Sequence, residues 1–368
     1  MRALVRLVSS LALVPATMII TAGCAGDTTS SPADAVAISS APSPVEEPAT
    51  VRLLAHDSFV LSEDLITRLE ADTGISLEII SGADAGTMVA GAVLAAGSPT
   101  ADVMFGVDNT LLSRAVAAGV FEPYTSSQLG SVVPALRDDT AGGVVTPIDY
   151  GDVCINIDDA ALEAAGVPAP ASLDDLIDPT YRDMLVVQDP GTSSPGLAFL
   201  LATIARYGDG WSDYWAALRE NGVSVAGSWT DAYYGEFSGG GEGTRPLVVS
   251  YATSPPAEIV YAEDPKPLEP STSVMTDGCY RQVEYAGVLA GTGQAAGAQA
   301  VVDWLLSEGV QADVPLSMFV FPAREGVTLP EVFTKFAATV EDPLSLPADE
   351  VAANLTDWLT EWGAVMGR

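Results

Sequence analysis

The chain has a single histidine, three cysteines and 15 Lys or Arg side chains against 49 Asp or Glu in 368 residues. With His56 alone, any Ser-His-Asp or Cys-His catalytic arrangement would have to be built on that one position. No Gly-x-Ser-x-Gly elbow, Gly-Lys-Ser phosphate loop or His-Glu-x-x-His helix occurs. No cysteine and histidine cluster has the spacing of a metal site. The shortage of basic residues argues against nucleic acid and anionic membrane surface as partners. An exported enzyme would lack both a base and a nucleophile, so the composition favours binding over turnover and no cofactor is expected.

What is present begins with an export signal. Arg2 and Arg6 precede an apolar run from Leu7 to Ile20, broken by Ser9, Ser10 and Pro15 and too short to span a bilayer. Ala22 and Gly23 before Cys24 resemble the bacterial lipoprotein cleavage site, with Thr21 where that pattern has an aliphatic residue. Residues 1–23 are therefore expected to be a signal peptide and Cys24 a lipidated N-terminus; ordinary cleavage, leaving Cys24 a thiol, is the other reading. Residues 24–50, rich in Ser, Thr, Ala, Pro and acids, bury too little apolar surface to order and are expected to tether the body to the outer face of the cytoplasmic membrane. Beyond the signal, 13 basic residues face 49 acidic ones, which mildly favours a cationic ligand. The remaining cysteines, Cys154 and Cys279, are either one disulfide or two unpaired buried thiols.

From residue 51 onward, strand and helix patterns alternate with short connections, which predicts parallel sheet covered by helices on both faces. Two long extended runs, Thr146–Ile157 and Ser271–Val283, interrupt the alternation. The expected architecture is α/β and two-lobed: residues 51–150 with 281–368 form one lobe and 151–280 the other, joined by two extended hinge crossings. Cys154 and Cys279 fall one on each crossing. The glycine run Gly239–Gly243 reads as a flexible surface loop.

Helix starts placed after strands are the candidate anion sites. Ser194 reads as a cap with Pro195 at the first helical position, and Ser254 with Pro255 repeats the device. Gly82–Thr87 is a third loop-to-helix start. Trp229, Tyr251 and Phe319 lie in loops near strand ends, where flat faces can enclose a ring-shaped cation. Trp211, Trp215, Trp304, Trp358 and Trp362 lie on helices and read as packing.

Taken together, His56-Asp-Ser-Phe59, Ala101–Leu112, Ile148-Asp-Tyr-Gly151, Gln188–Leu197, Trp229-Thr-Asp-Ala-Tyr233, Ser250-Tyr-Ala-Thr-Ser-Pro255 and Gln282-Val-Glu284 resemble the periplasmic thiamine-binding proteins of bacterial ABC importers, a branch of the type II substrate-binding family. The resemblance implies thiamine, thiamine phosphate or thiamine diphosphate held between two lobes of a monomer and delivered to a membrane permease with a separate ATPase. It places Ser193, Ser194, Ala252, Thr253 and Ser254 near the phosphate, and Trp229 and Tyr251 on the ring system. Ala85 and Gly86 fall where the family has an Asp-Gly pair, with Asp84 adjacent. His56, beside Asp57, and Phe319 replace a tyrosine and a tryptophan. Two rivals remain: a ferric-ion binder using Tyr233, Tyr234 and His56, since Fe(III) favours phenolate oxygen, and a binder of another cation such as a polyamine.

Overall fold

A computed structural model describes residues 49–137 and 141–368. The signal segment, Cys24 and the tether up to residue 48 lie outside the described residues. Among those described, the strands are β1 (Ala49–Ala55), β2 (Ile75–Ser81), β3 (Val103–Asp108), β4 (Thr146–Asp158), β5 (Leu185–Gln188), β6 (Ser224–Ala226), β7 (Leu247–Tyr251), β8 (Thr272–Val288) and β9 (Phe321–Pro322). The helices are α1 (Glu63–Thr73), α2 (Ala85–Leu94), α3 (Leu112–Ala117), α4 (Pro134–Arg137), α5 (Asp159–Ala165), α6 (Ser194–Tyr207), α7 (Trp211–Glu220), α8 (Pro256–Tyr261), α9 (Ala295–Leu305), α10 (Glu308–Ser317), α11 (Glu331–Phe336) and α12 (Ala348–Met366). None of these helices is long and apolar enough to cross a membrane.

The strands follow the order β2-β1-β3-β8-β4-β7-β5-β6, with β9 added beside β4. The expectation of parallel sheet is corrected to a mixed one. β1 is parallel to β2 and β3, and β5 to β6 and β7, but β3–β8, β8–β4 and β4–β7 are antiparallel. The cause is the two crossings. β4 and β8 run the full length between the halves and pair with each other from Thr146↔Ala286 to Asp158↔Thr272. One end of β8 serves β3 and one end of β4 serves β7, so each crossing enters its half against the direction of its neighbour. Two α/β halves joined by two extended strands is the two-lobed architecture expected.

Cys154 on β4 and Cys279 on β8 are disulfide-bonded, with Cα atoms 4.4 Å apart. The bridge ties the crossings together in a small apolar cluster with Ala252 and Val340. α6 is buried from Ser194 to Ile204, which its nearly unbroken apolar sequence requires. α12 packs on α7, where Trp362 meets Trp215 edge to face at 5.6 Å.

Two helix starts shift by one residue. Ser193, not Ser194, is the N-cap of α6, and Pro195 is its second residue. Pro255 caps α8, which begins at Pro256. The Gly239–Gly243 run is not a free loop. Side chains at 240 and 243 would place a Cβ 2.4 Å from the Tyr233 carbonyl oxygen and 1.9 Å from the Glu236 carbonyl carbon. The glycines let this segment lie directly against the π-helical turn Asp231–Glu236.

Candidate ligand-binding cleft

Loops at the carboxyl ends of the parallel strands of both halves converge on one cavity of about 320 Å³, the place where sheets of this kind receive ligands. The first half supplies His56, Asp57 and Val60 after β1, and Asp84 and Ala85 after β2. The second supplies Ser194 and Pro195 after β5, Trp229 to Tyr234 after β6, and Tyr251 and Ser254 after β7. Gln282 and Glu284 of β8 form the floor, and Met318, Phe319 and Val320 close one side.

The aromatic wall is held rigidly. Trp229 stacks on Tyr233 with centroids 4.9 Å apart at 22°, and its Nε1–H donates to Ser250 Oγ at 2.9 Å. Ser250 and Ser254 hydroxyls are 3.0 Å apart, so the Ser254 side chain serves Trp229 through Ser250. Tyr251 donates its hydroxyl to Gln282 Oε1 at 2.9 Å, and Gln282 Nε2 donates to Ser194 Oγ at 2.8 Å. Phe319 has φ +55°, a left-handed conformation unusual for a bulky residue. Thr253 Oγ1 holds it by donating to the Phe319 carbonyl at 2.5 Å.

Of the residues singled out from sequence, His56, Asp57, Ala85, Ser194, Trp229, Tyr251, Ser254 and Phe319 line the cavity. Gly86, Ser193, Ala252 and Thr253 do not. Ser193 and Thr253 are fully buried, as is Ala252 behind the wall. Gly86 serves the contact between the halves instead, since a Cβ there would lie 2.6 Å from the Thr192 carbonyl of the opposite half. The missing side chain lets the Thr87 N–H reach the Thr192 oxygen at 3.0 Å across the cleft.

Sequence reading missed the acid floor. Glu284 sits 3.4 Å from His56 Nε2 and presses on Asp149, which is wholly buried on β4. Burial and the Glu284 charge push the Asp149 carboxyl well above the usual range. Burial would raise Glu284 too, but His56 and a hydrogen bond with Asp149 hold it below its ordinary value. Asp149 thus carries the proton and Glu284 the charge. Burial also raises Asp108 to about 6, against hydrogen bonds from Ser194 and Thr110. The available signal was an ionisable residue inside each apolar crossing, at Asp149 and Glu284. The cavity accordingly joins flat aromatic faces to an acidic floor, with no Lys or Arg among the described residues of its wall.

The tyrosine pair is placed poorly for iron. Tyr233 is buried against Trp229 and its phenol is raised mainly by burial, with the Glu258 charge adding to it, which opposes phenolate. Tyr234 stands half exposed at the rim, its ring edge-on to Tyr233.

Fold and cleft together define a two-lobed solute-binding protein. The family of bacterial extracellular solute-binding proteins matches residues 98–341, and the chain belongs to it. It is 31% identical over 303 residues to the thiamine-binding periplasmic protein of Escherichia coli (strain K12), covering 81% of this chain and 86% of the relative. The thiamine-binding periplasmic protein of Brucella suis biovar 1 (strain 1330) is 28% identical over 325 residues, covering 87% and 92%. A solved periplasmic thiamin binding protein superposes with a TM-score of 0.75 at 29% identity, over 87% of this chain and 96% of that one. A ferric binding protein from Campylobacter jejuni reaches a TM-score of 0.68 at 18% identity, a likeness of fold alone.

Proposed function

We propose that this protein is a lipid-anchored extracytoplasmic receptor that binds thiamine or its phosphate esters and delivers it to a membrane permease driven by a separate ATPase. The lobes are residues 51–150 with 281–368, and 151–280; the anchor is Cys24; the receptor works as a monomer, without cofactor and without turnover. The observation that carries the reading is the meeting of Trp229, Tyr251 and Ser194 with the Glu284 carboxylate in one cavity between the halves. Similarity to thiamine-binding relatives supplies the identity of the cation.

Trp229 and Tyr251 take the faces of the heterocycles, and Glu284 and the acids around it offset the positive charge. Closure is coupled to binding because the same loops that touch ligand also touch one another, through Thr87 with Thr192 and Asp57 with Thr230. A ligand that contacts both halves favours the arrangement in which these bonds form, and the permease reads that arrangement. Isothermal titration with thiamine tests the reading. It expects saturable binding of one molecule per chain. Absence of binding, together with a visible charge-transfer band on adding ferric ion, would transfer the assignment to iron.

A further inference from the structure

The end of the cleft where a phosphate tail is expected already holds an anion belonging to the protein. Asp84 precedes α2 in the first half and is 7% exposed, yet its carboxylate makes no capping bond to its own helix. It reaches across the cleft instead. Oδ1 accepts from the Ser194 N–H at 3.2 Å, at the tip of α6, and Oδ2 accepts from the Trp229 N–H at 2.8 Å. Free N–H groups at a helix start are what a phosphate would use. The first turn of α6 has few others to offer, because Ser193 N–H is bonded to the Asp189 carbonyl and Pro195 has none. The Ser194 hydroxyl is committed as well, donating to Asp108 Oδ2 and accepting from Gln282.

Charge points the same way. The cavity wall carries Asp57, Asp84 and Glu284, with Asp108 just behind Ser194. Among the described residues its single basic side chain is His56, already paired with Glu284. A phosphate entering here would meet carboxylates and no free cation, whereas a cation with an uncharged hydroxyl tail meets opposite charge alone.

We propose that Asp84 is a specificity-determining residue. It fills the anion site at the tip of α6, and so selects thiamine, the cation without phosphate, over thiamine phosphate and thiamine diphosphate. The inference rests on the thiamine reading above and narrows it.

Titration of the protein and of its Asp84→Ala and Asp84→Asn variants with all three ligands tests it, alongside their unfolding temperatures. The unaltered protein should bind thiamine at least tenfold more tightly than the diphosphate. Asp84→Ala should bring that ratio within about threefold or invert it, and Asp84→Asn, which keeps the size and loses the charge, should fall between. Equal affinity of the unaltered protein for all three ligands overturns the proposal, as does an unchanged ratio in a folded Asp84→Ala. If neither variant folds, the ratio in the unaltered protein decides. If the unaltered protein binds none of the three, the thiamine reading fails separately, and inorganic pyrophosphate becomes the probe. Binding to Asp84→Ala but not to the unaltered protein then upholds the role of Asp84, and identical behaviour overturns it.

Discussion

Replacing Trp229 with alanine removes the best-fixed flat surface of the cleft. The indole is held on one face by Tyr233 and at its edge by Ser250, and it borders the cavity. Its geometry is set before ligand arrives, so little ordering cost offsets the contact. A cation over an indole face gains about 0.5–2 kcal/mol. Some 60 Å² of apolar contact at about 25 cal/mol per Å² adds roughly 1.5 kcal/mol. The sum of about 2–3.5 kcal/mol corresponds to roughly 30- to 300-fold weaker thiamine binding, and a tenfold loss is the least expected. Trp229→Phe keeps a flat face and loses the bond to Ser250, so its loss should be smaller. Isothermal titration at neutral pH reads the affinity, and thermal unfolding of the same samples shows that the fold survives. Affinity of Trp229→Ala within threefold of the unaltered protein would remove this ring from the ligand and refute the reasoning.

Three further perturbations follow from the same geometry. Joint Cys154→Ser and Cys279→Ser opens a loop of sequence separation 125, and loop entropy puts the loss of stability at about 2–5 kcal/mol; denaturant unfolding that matches the bonded protein would contradict this. Burial alone would lower the His56 pKa, but Glu284, aided by Asp84 and Asp57, raises it above its ordinary 6.5. A raised histidine contributes stability that is whole below about 6.5 and is lost as pH rises through its folded-state value. The melting temperature should therefore fall over the window just above pH 6.5, and His56→Gln should flatten that fall; parallel profiles would count against the pairing. Gly243→Ala drives a methyl into the backbone at Glu236, and should cost about 1–3 kcal/mol while weakening ligand binding through the displaced Tyr233; an unaffected melting curve would show that the glycine segment yields freely.

The strands and most helices were legible because their apolar periods are strong: Ile75–Ile80 alternates and Pro195–Tyr207 is apolar almost throughout. The two crossings were legible as extended runs, although β8 continues five residues past Val283. Strand direction was not, because it depends on which neighbours β4 and β8 find and not on their own residues. Trp229, Tyr251 and Ser194 were found because loops after strands expose what they carry. Ser193 and Thr253 were placed beside the ligand, but a hydroxyl one residue along in a helix start turns inward. Thr253 in fact shapes the wall by holding Phe319. Asp149, Glu284 and Asp108 escaped notice because a carboxyl within an apolar strand has no local pattern; only folding brings the three under one cavity. Asp84 was noted merely as a neighbour of Ala85, since its partners Ser194 and Trp229 lie 110 and 145 residues away.

The central claim is that a heterocyclic cation sits between the halves, against the indole and above the acid floor. A crystal structure of the protein grown with thiamine tests this most directly. Ring density is expected between Trp229 and Tyr251, with a nitrogen directed at Glu284 and the Asp84 carboxylate still on Ser194 and Trp229. Thiamine bound elsewhere on the surface, or a cleft left empty at saturating thiamine, would contradict it.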